Sequence, residues 1–234
     1  MRLKRIASML LFYTLVVSVF LAATYWGSVA TTVIAQKIPL ERQHTVIIDA
    51  GHGGEDGGAT SCSGKPESEY NLEIAHRLND LLHLMGIHTK MVRTTDISVY
   101  TQGETLSAKK VSDLKNRVQL VNETENALLL SIHLNTFSDS RYNGAQVFYA
   151  SNEESRLLAE NLQNSFCQTI NPTSNRHCKK ASGIYLMEHI ETTGVLIECG
   201  FLSNYEEEAM LRDHAYQKKL CCVIATTVSN FLDR

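Results

Sequence analysis

Proline is scarce, at three in 234 residues, and no tract is compositionally biased, which excludes long disordered linkers. Neither sign of charge dominates: 22 Lys and Arg stand against 25 Asp and Glu, mixed along the chain. That balance leaves no basic footprint for a nucleic acid. No internal repeat with a period of roughly 20–50 residues occurs, so solenoid architectures are excluded. The six cysteines (Cys62, Cys167, Cys178, Cys199, Cys221 and Cys222) include no C-x-x-C pair. Adjacent Cys221 and Cys222 would face different sides of any helix. This spacing argues against a disulfide framework and for small buried hydrophobes in most positions. Cys167 with Cys178 is the one local pair to consider. With the hydrophobic N-terminus set aside, about 200 residues remain, enough for one compact domain with a sizeable core.

The N-terminus carries Arg2, Lys4 and Arg5, followed by a charge-free run from Ile6 to Ala35. A basic flank and an apolar run fit a secretory signal peptide or an uncleaved signal anchor over residues 1–35. A membrane span needs about 20 apolar residues, and the length of the run favours the anchor. Val33-Ile34-Ala35 supplies a mediocre cleavage site. The basic flank places the N-terminus inside and residues 36–234 outside the membrane.

Beyond this segment, apolar strands alternate with helical patterns. The spacing predicts strands at His44–Ala50, Ile87–Arg93, Asn126–Asn135, Gly144–Ala150, Ile184–Met187 and Val195–Cys199. It predicts helices at Asn71–Leu84, around Val111–Val121, at Glu153–Ile170, Tyr205–Leu211 and Tyr216–Leu232. Such alternation implies an α/β domain with a mostly parallel sheet. Ligands of such sheets collect at the C-terminal ends of the strands.

Three candidate residues follow strand ends. His52 lies in Gly51–Gly58, where five of eight residues are glycine and the backbone can turn tightly. The run is not a phosphate-binding P-loop. His133 sits near the end of the second long apolar run, between Ser131 and Asn135, which suggest the polar rim of a site. Glu198 closes the apolar run Val195-Leu196-Ile197, a costly place for a carboxylate unless it is paired or bound to metal. A catalytic zinc takes three protein ligands. Chemistry alone does not choose the third among Glu67, Glu69 and Glu73.

Four segments together resemble the signatures of the zinc N-acetylmuramoyl-L-alanine amidases of the amidase-3 type: Asp49–Ala59, Glu67 with Asn71-Leu72, Ser131–Asn135 and Glu198–Asn204. The resemblance covers about residues 44 to 232 and implies a three-layer αβα fold around a six-stranded, mostly parallel sheet. It implies Zn2+ held by His52, Glu67 and His133, with Glu198 as the catalytic general base. Glu67 is preferred to Glu69 because the family ligand stands four residues before an Asn-Leu pair. Two departures are visible: Ala50 replaces a usual Pro, which should loosen the turn, and Ser68 replaces a common Lys. The implied substrate is peptidoglycan, cut between N-acetylmuramic acid and L-Ala. A lone catalytic domain behind a signal anchor is similar to the sporulation amidases of spore-forming Firmicutes. That likeness implies action on spore cortex ahead of a muramic acid deacetylase that forms muramic-δ-lactam, and an exported sporulation lipoprotein as partner. Two rival readings fit the same fold class. A peptidoglycan-binding pseudoenzyme would have lost a ligand or Glu198. A zinc carboxypeptidase would need an arginine for a free carboxylate, for which Arg93 and Arg117 are candidates.

Overall fold

The computed structural model describes residues 11–25 and 44–234. Residues 11–25 form a helix, α1, exposed along its whole length. Among the described residues no helix is long and apolar enough to cross a membrane. The rest of the expected signal or anchor, 1–10 and 26–35, lies outside the described residues.

Residues 44–234 make one compact unit. Its elements are β1 (Thr45–Ala50), α2 (Glu67–Leu84), β2 (Thr89–Met91), α3 (Leu106–Asn122), β3 (Ala127–Asn135), β4 (Gln146–Tyr149), α4 (Glu153–Thr169), β5 (Lys179–Lys180), α5 (Tyr185–His189), β6 (Thr193–Phe201), α6 (Tyr205–Arg212) and α7 (His214–Leu232). The six strands form a single sheet in the order β2-β1-β3-β6-β4-β5. β2, β1, β3 and β6 run parallel, and β4 runs antiparallel to β6.

β1, β3 and β6 are continuous Val, Ile and Leu runs because both faces of the sheet are covered. Ile48, Leu130 and Ile197 pack on one face against Ile74 and Leu78 of α2, Leu162 of α4 and Ile224 of α7. Ile47, Leu129 and Leu196 pack on the other against Val121 of α3 and Leu186 and Met187 of α5. Each such fully buried side chain contributes roughly 1.5–3 kcal/mol. By strand alternation Asp49, Ser131, His133 and Glu198 share the second, thinner face.

Helix ends follow local chemistry. Thr105 accepts from the Ala108 N–H (3.2 Å), Asn152 from Ser155 (2.8 Å) and Asp213 from Ala215 (3.1 Å), the usual N-cap bond. α2 stops at Gly86, whose φ of +78° favours glycine after a helix.

Two expectations are corrected. Ile184–Met187 is not a strand; α5 begins there and turns Leu186 and Met187 into the thinner core. A four-residue apolar run does not separate strand from helix. The sixth strand is instead β5, two exposed lysines at the sheet edge, where Lys blocks further pairing and no apolar pattern marks a strand. All six cysteines lie among the described residues and are free, including Cys167 and Cys178; only Cys199 and Cys221 are buried, and Cys222 is exposed.

Candidate active site

The Gly-rich run makes room for three side chains. A Cβ on Gly51 would sit 2.3 Å from the His133 ring, and one on Gly58 would sit 2.6 Å from Glu67 Oε2 and 2.7 Å from His52 Cδ2. Gly58 also has a φ of +69°, which disfavours any other residue. His52 itself takes a φ of +60°, a left-handed conformation that costs a non-glycine residue of order 1–3 kcal/mol. The fold sustains it because His52 is pinned on both ring nitrogens. Nδ1 lies 3.0 Å from Asp56 Oδ2 and Nε2 lies 3.3 Å from Glu67 Oε2.

Glu67 enters from the first turn of α2 and is buried. Its Oε1 meets His133 Nδ1 at 3.0 Å and accepts from Asn71 Nδ2 and the Leu134 N–H, both at 3.2 Å. Its Oε2 accepts from the Ala59 N–H at 3.0 Å. Burial opposes ionisation of Glu67, but the hydrogen bonds and charges of His133 and His52 hold its carboxyl far below the ordinary glutamate range. Burial likewise disfavours charge on His52, while Glu67 and Asp56 more than offset it and raise its pKa. The neighbouring acids are elsewhere: Glu69 is half-exposed near Lys65, and Glu73 pairs with Lys65 at 2.6 Å.

One ligand atom from each of His52, Glu67 and His133 lies within 4.8 Å of the others. Two imidazoles and a carboxylate are a donor set that suits catalytic zinc, and Asp56 fixes His52 from behind as such ligands are commonly fixed. Glu198 is the register partner of His133 on the adjacent parallel strand, so the two side chains emerge side by side. The residue is half-buried, but its Oε2 is shielded from solvent and has no hydrogen-bond partner among the described residues. Desolvation, with a contribution from the Glu67 charge, pushes the Glu198 carboxyl up to about 7 against the pull of His133 and His52.

Two buried arginines hold the turn that carries His52. Arg93 donates to the carbonyls of Ala50 (2.8 Å), Gly51 (3.0 Å) and Ser68 (2.8 Å). Arg117 donates to those of Ala50 (3.0 Å) and His52 (2.8 Å), to Asp113 (2.6 Å) and to Asp49. The loosening expected from Ala50 is thus met by guanidinium clamps. Both arginines are spent on backbone and internal carboxylates, which removes the carboxylate-binding role a carboxypeptidase would need. Ser131 is also no rim residue: its hydroxyl is buried and donates to Asp49 at 2.7 Å. Sequence reasoning passed over Asp56; its signal was position, four residues after His52 in a glycine turn.

The Gly51 contact gives a direct prediction. Gly51→Ala should displace the His133 ring and, with His133 as a ligand, should lower zinc affinity about 10–100-fold, as loss of ligand support does elsewhere. Calorimetric zinc titration checks it, and an unchanged affinity would remove His133 from the metal group.

A family model described as N-acetylmuramoyl-L-alanine amidase, of the amidase-3 type, matches residues 46–230. The chain belongs to this family. It is an N-acetylmuramoyl-L-alanine amidase acting on peptidoglycan. The amidase is 38% identical over 182 residues to a germination-specific N-acetylmuramoyl-L-alanine amidase of Bacillus subtilis, covering 76% of each chain. Its fold is similar to that of the CwlD amidase of Clostridioides difficile, solved in complex with the GerS lipoprotein. The TM-score is 0.78 at 36% identity, over 81% of this chain and 98% of that one. It is also similar to a second N-acetylmuramoyl-L-alanine amidase of Clostridium difficile 630, with a TM-score of 0.72 at 29% identity, over 82% and 98% of the two chains.

Proposed function

We propose that His52, Glu67 and His133 hold Zn2+ and that Glu198 is the general base of the amidase. The observation that carries this is the unpartnered, desolvated carboxylate oxygen of Glu198 beside the His52–Glu67–His133 group. A zinc ion held by these residues would polarise the lactyl carbonyl as a Lewis acid and lower the pKa of a water. Glu198 takes the proton of the attacking water and delivers it to the departing nitrogen of L-Ala. Asp56 and Asn71 keep His52 and Glu67 aimed at one point.

The biological reading rests on the relatives. Similarity to a germination-specific amidase supports spore cortex as the substrate, upstream of a deacetylase that completes muramic-δ-lactam. It also supports an extracytoplasmic location, reached through residues 1–35, with residues 36–234 as the catalytic domain. The lipoprotein bound to the clostridial relative supports an exported lipoprotein partner that raises metal occupancy by favouring the aligned site.

Chelation tests the metal without relying on turnover. Protein stripped of metal should melt lower than protein at 100 times the zinc Kd, which adds about 2.7 kcal/mol to the folded state. Activity on cortex fragments, read by mass spectrometry of released peptides, should vanish and return with the same titration. A melting temperature indifferent to zinc would sink the metal group.

A further inference from the structure

Past the reacting edge, β3 and β6 end in an aromatic surface that the chemistry above does not use. Phe137 and Tyr142 are about half exposed, at 51% and 48%, and meet edge-on with ring centroids 4.6 Å apart. Tyr142 in turn lies 6.3 Å from Phe201, and the Arg176 guanidinium sits 4.9 Å over the Phe201 ring. Beside this surface is a shallow, open cleft of about 590 Å³, lined by Asp139, Arg141, Tyr142, Asn143, Ser174 and Arg176 among others. That volume suits a small-molecule-sized ligand, and the lining mixes one ring face with many hydrogen-bonding groups.

The surface is tied to the catalytic edge. Gln146 is the register partner of Glu198, and Arg176 donates to Gln146 Oε1 at 3.2 Å. Phe201 pairs with Asn135, two positions beyond the His133–Glu198 pair and past a register shift in the ladder, ~7 Å along the strand. It is also held rigid. Buried Glu207 accepts from the Gly144 N–H and the Phe201 N–H, both at 2.8 Å, and Asn204 donates to the Ser140 carbonyl at 2.8 Å.

We propose that Phe137, Tyr142 and the Arg176-lined cleft form a saccharide subsite that holds the glycan strand next to the muramic acid being processed. The C–H face of a pyranose packs on an aromatic ring, and its hydroxyls and acetamido group need a polar wall; this surface offers both. The proposal rests on the amidase reading, because a polymeric substrate running along the reacting edge is what places a neighbouring sugar there. Binding remote from the scissile bond lowers the barrier only if it holds the reacting residue in place.

The test separates glycan binding from hydrolysis. The full chain is titrated with peptide-free glycan strands, and the amidase is assayed on intact strands and on a single muramoyl-peptide. Tyr142→Ala and Phe137→Ala should each weaken glycan binding about ten-fold, as expected for one lost aromatic contact. Each should lower kcat/KM on strands by a similar factor and leave kcat/KM on the muramoyl-peptide within about two-fold. Both side chains are half exposed, and either variant alone suffices if the other unfolds. Wild-type protein that cleaves strands but does not bind peptide-free glycan overturns the subsite and leaves the amidase reading standing. Glycan binding with no hydrolysis of any substrate overturns the amidase reading and leaves the subsite. Equal losses on strands and muramoyl-peptide, or none in either variant, overturn the subsite and leave the aromatic pair to a protein partner.

Discussion

Glu198→Gln should lower turnover by at least 10²–10⁴, the usual worth of a positioned proton-transfer group, while zinc affinity and fold persist. The amide keeps the volume of the acid but cannot accept the water's proton. A zinc-loaded variant with normal turnover would take the general-base role away from Glu198. The same substitution has an opposite effect on stability in metal-free protein. Burial holds this carboxyl at about 7 in the folded state, above its unfolded value. The folded protein therefore binds the proton more tightly, and stability falls as pH rises from the unfolded value through about 7, levelling off above it. At pH 8 the metal-free Gln variant should be more stable than wild type, by up to on the order of 3 kcal/mol. Below about pH 4 the difference should vanish. In the working enzyme a bound cation favours the ionised form, so the acid limb of kcat/KM should lie at or below pH 7.

Arg117→Leu should destabilise the protein by about 3–5 kcal/mol, the cost of leaving a buried charge without its partner. Asp49 is 1% exposed and would keep only the Ser131 hydroxyl. Burial opposes its ionisation, yet Arg117 and Ser131 hold its carboxyl below the usual range. That depressed pKa contributes stability above the unfolded aspartate value and loses it as pH falls through the folded one. In Arg117→Leu the sign reverses, since Asp49 must now ionise unpaired. The two proteins should therefore converge towards low pH. Adding Asp49→Asn should recover much of the loss at neutral pH. Urea unfolding measures all three, and a neutral-pH difference under about 1 kcal/mol would mean the pair is better solvated than its burial implies.

The parts of the site that were legible in the sequence are those a strand end announces. His52, His133 and Glu198 each follow an apolar run, and parallel strands put such residues on one edge. Glu67 was not legible from chemistry, because three acids lie within the first two turns of α2 and all are plausible ligands in one dimension. Helix geometry separates them: in the first turn Glu67 faces the glycine loop and is buried between two histidines, while Glu69 of the same turn points outward at 50% exposure and Glu73 turns to Lys65. The clamps were misread for a related reason. Arg93 and Arg117 offer themselves in sequence as binders of a substrate carboxylate, but both are buried and spent on carbonyls of the glycine-rich turn and on internal carboxylates. β5 and α5 escaped notice because a two-lysine edge strand and a five-residue helix carry too little periodicity to register.

The sheet order also dictates when the site can exist. β1, β3 and β6 are adjacent in space, yet 82 and 66 residues separate their starts in the chain. Contacts of such long sequence separation form slowly. During synthesis, His52, Glu67 and His133 are present well before β6 emerges, and β6 must insert between β3 and β4 to bring in Glu198. The proposed metal-binding half is thus encoded early and the proposed proton-transfer half late. A nascent amidase in which β6 has not yet emerged carries the proposed metal ligands without the proposed general base, so the two halves of the chemistry meet only when β6 inserts.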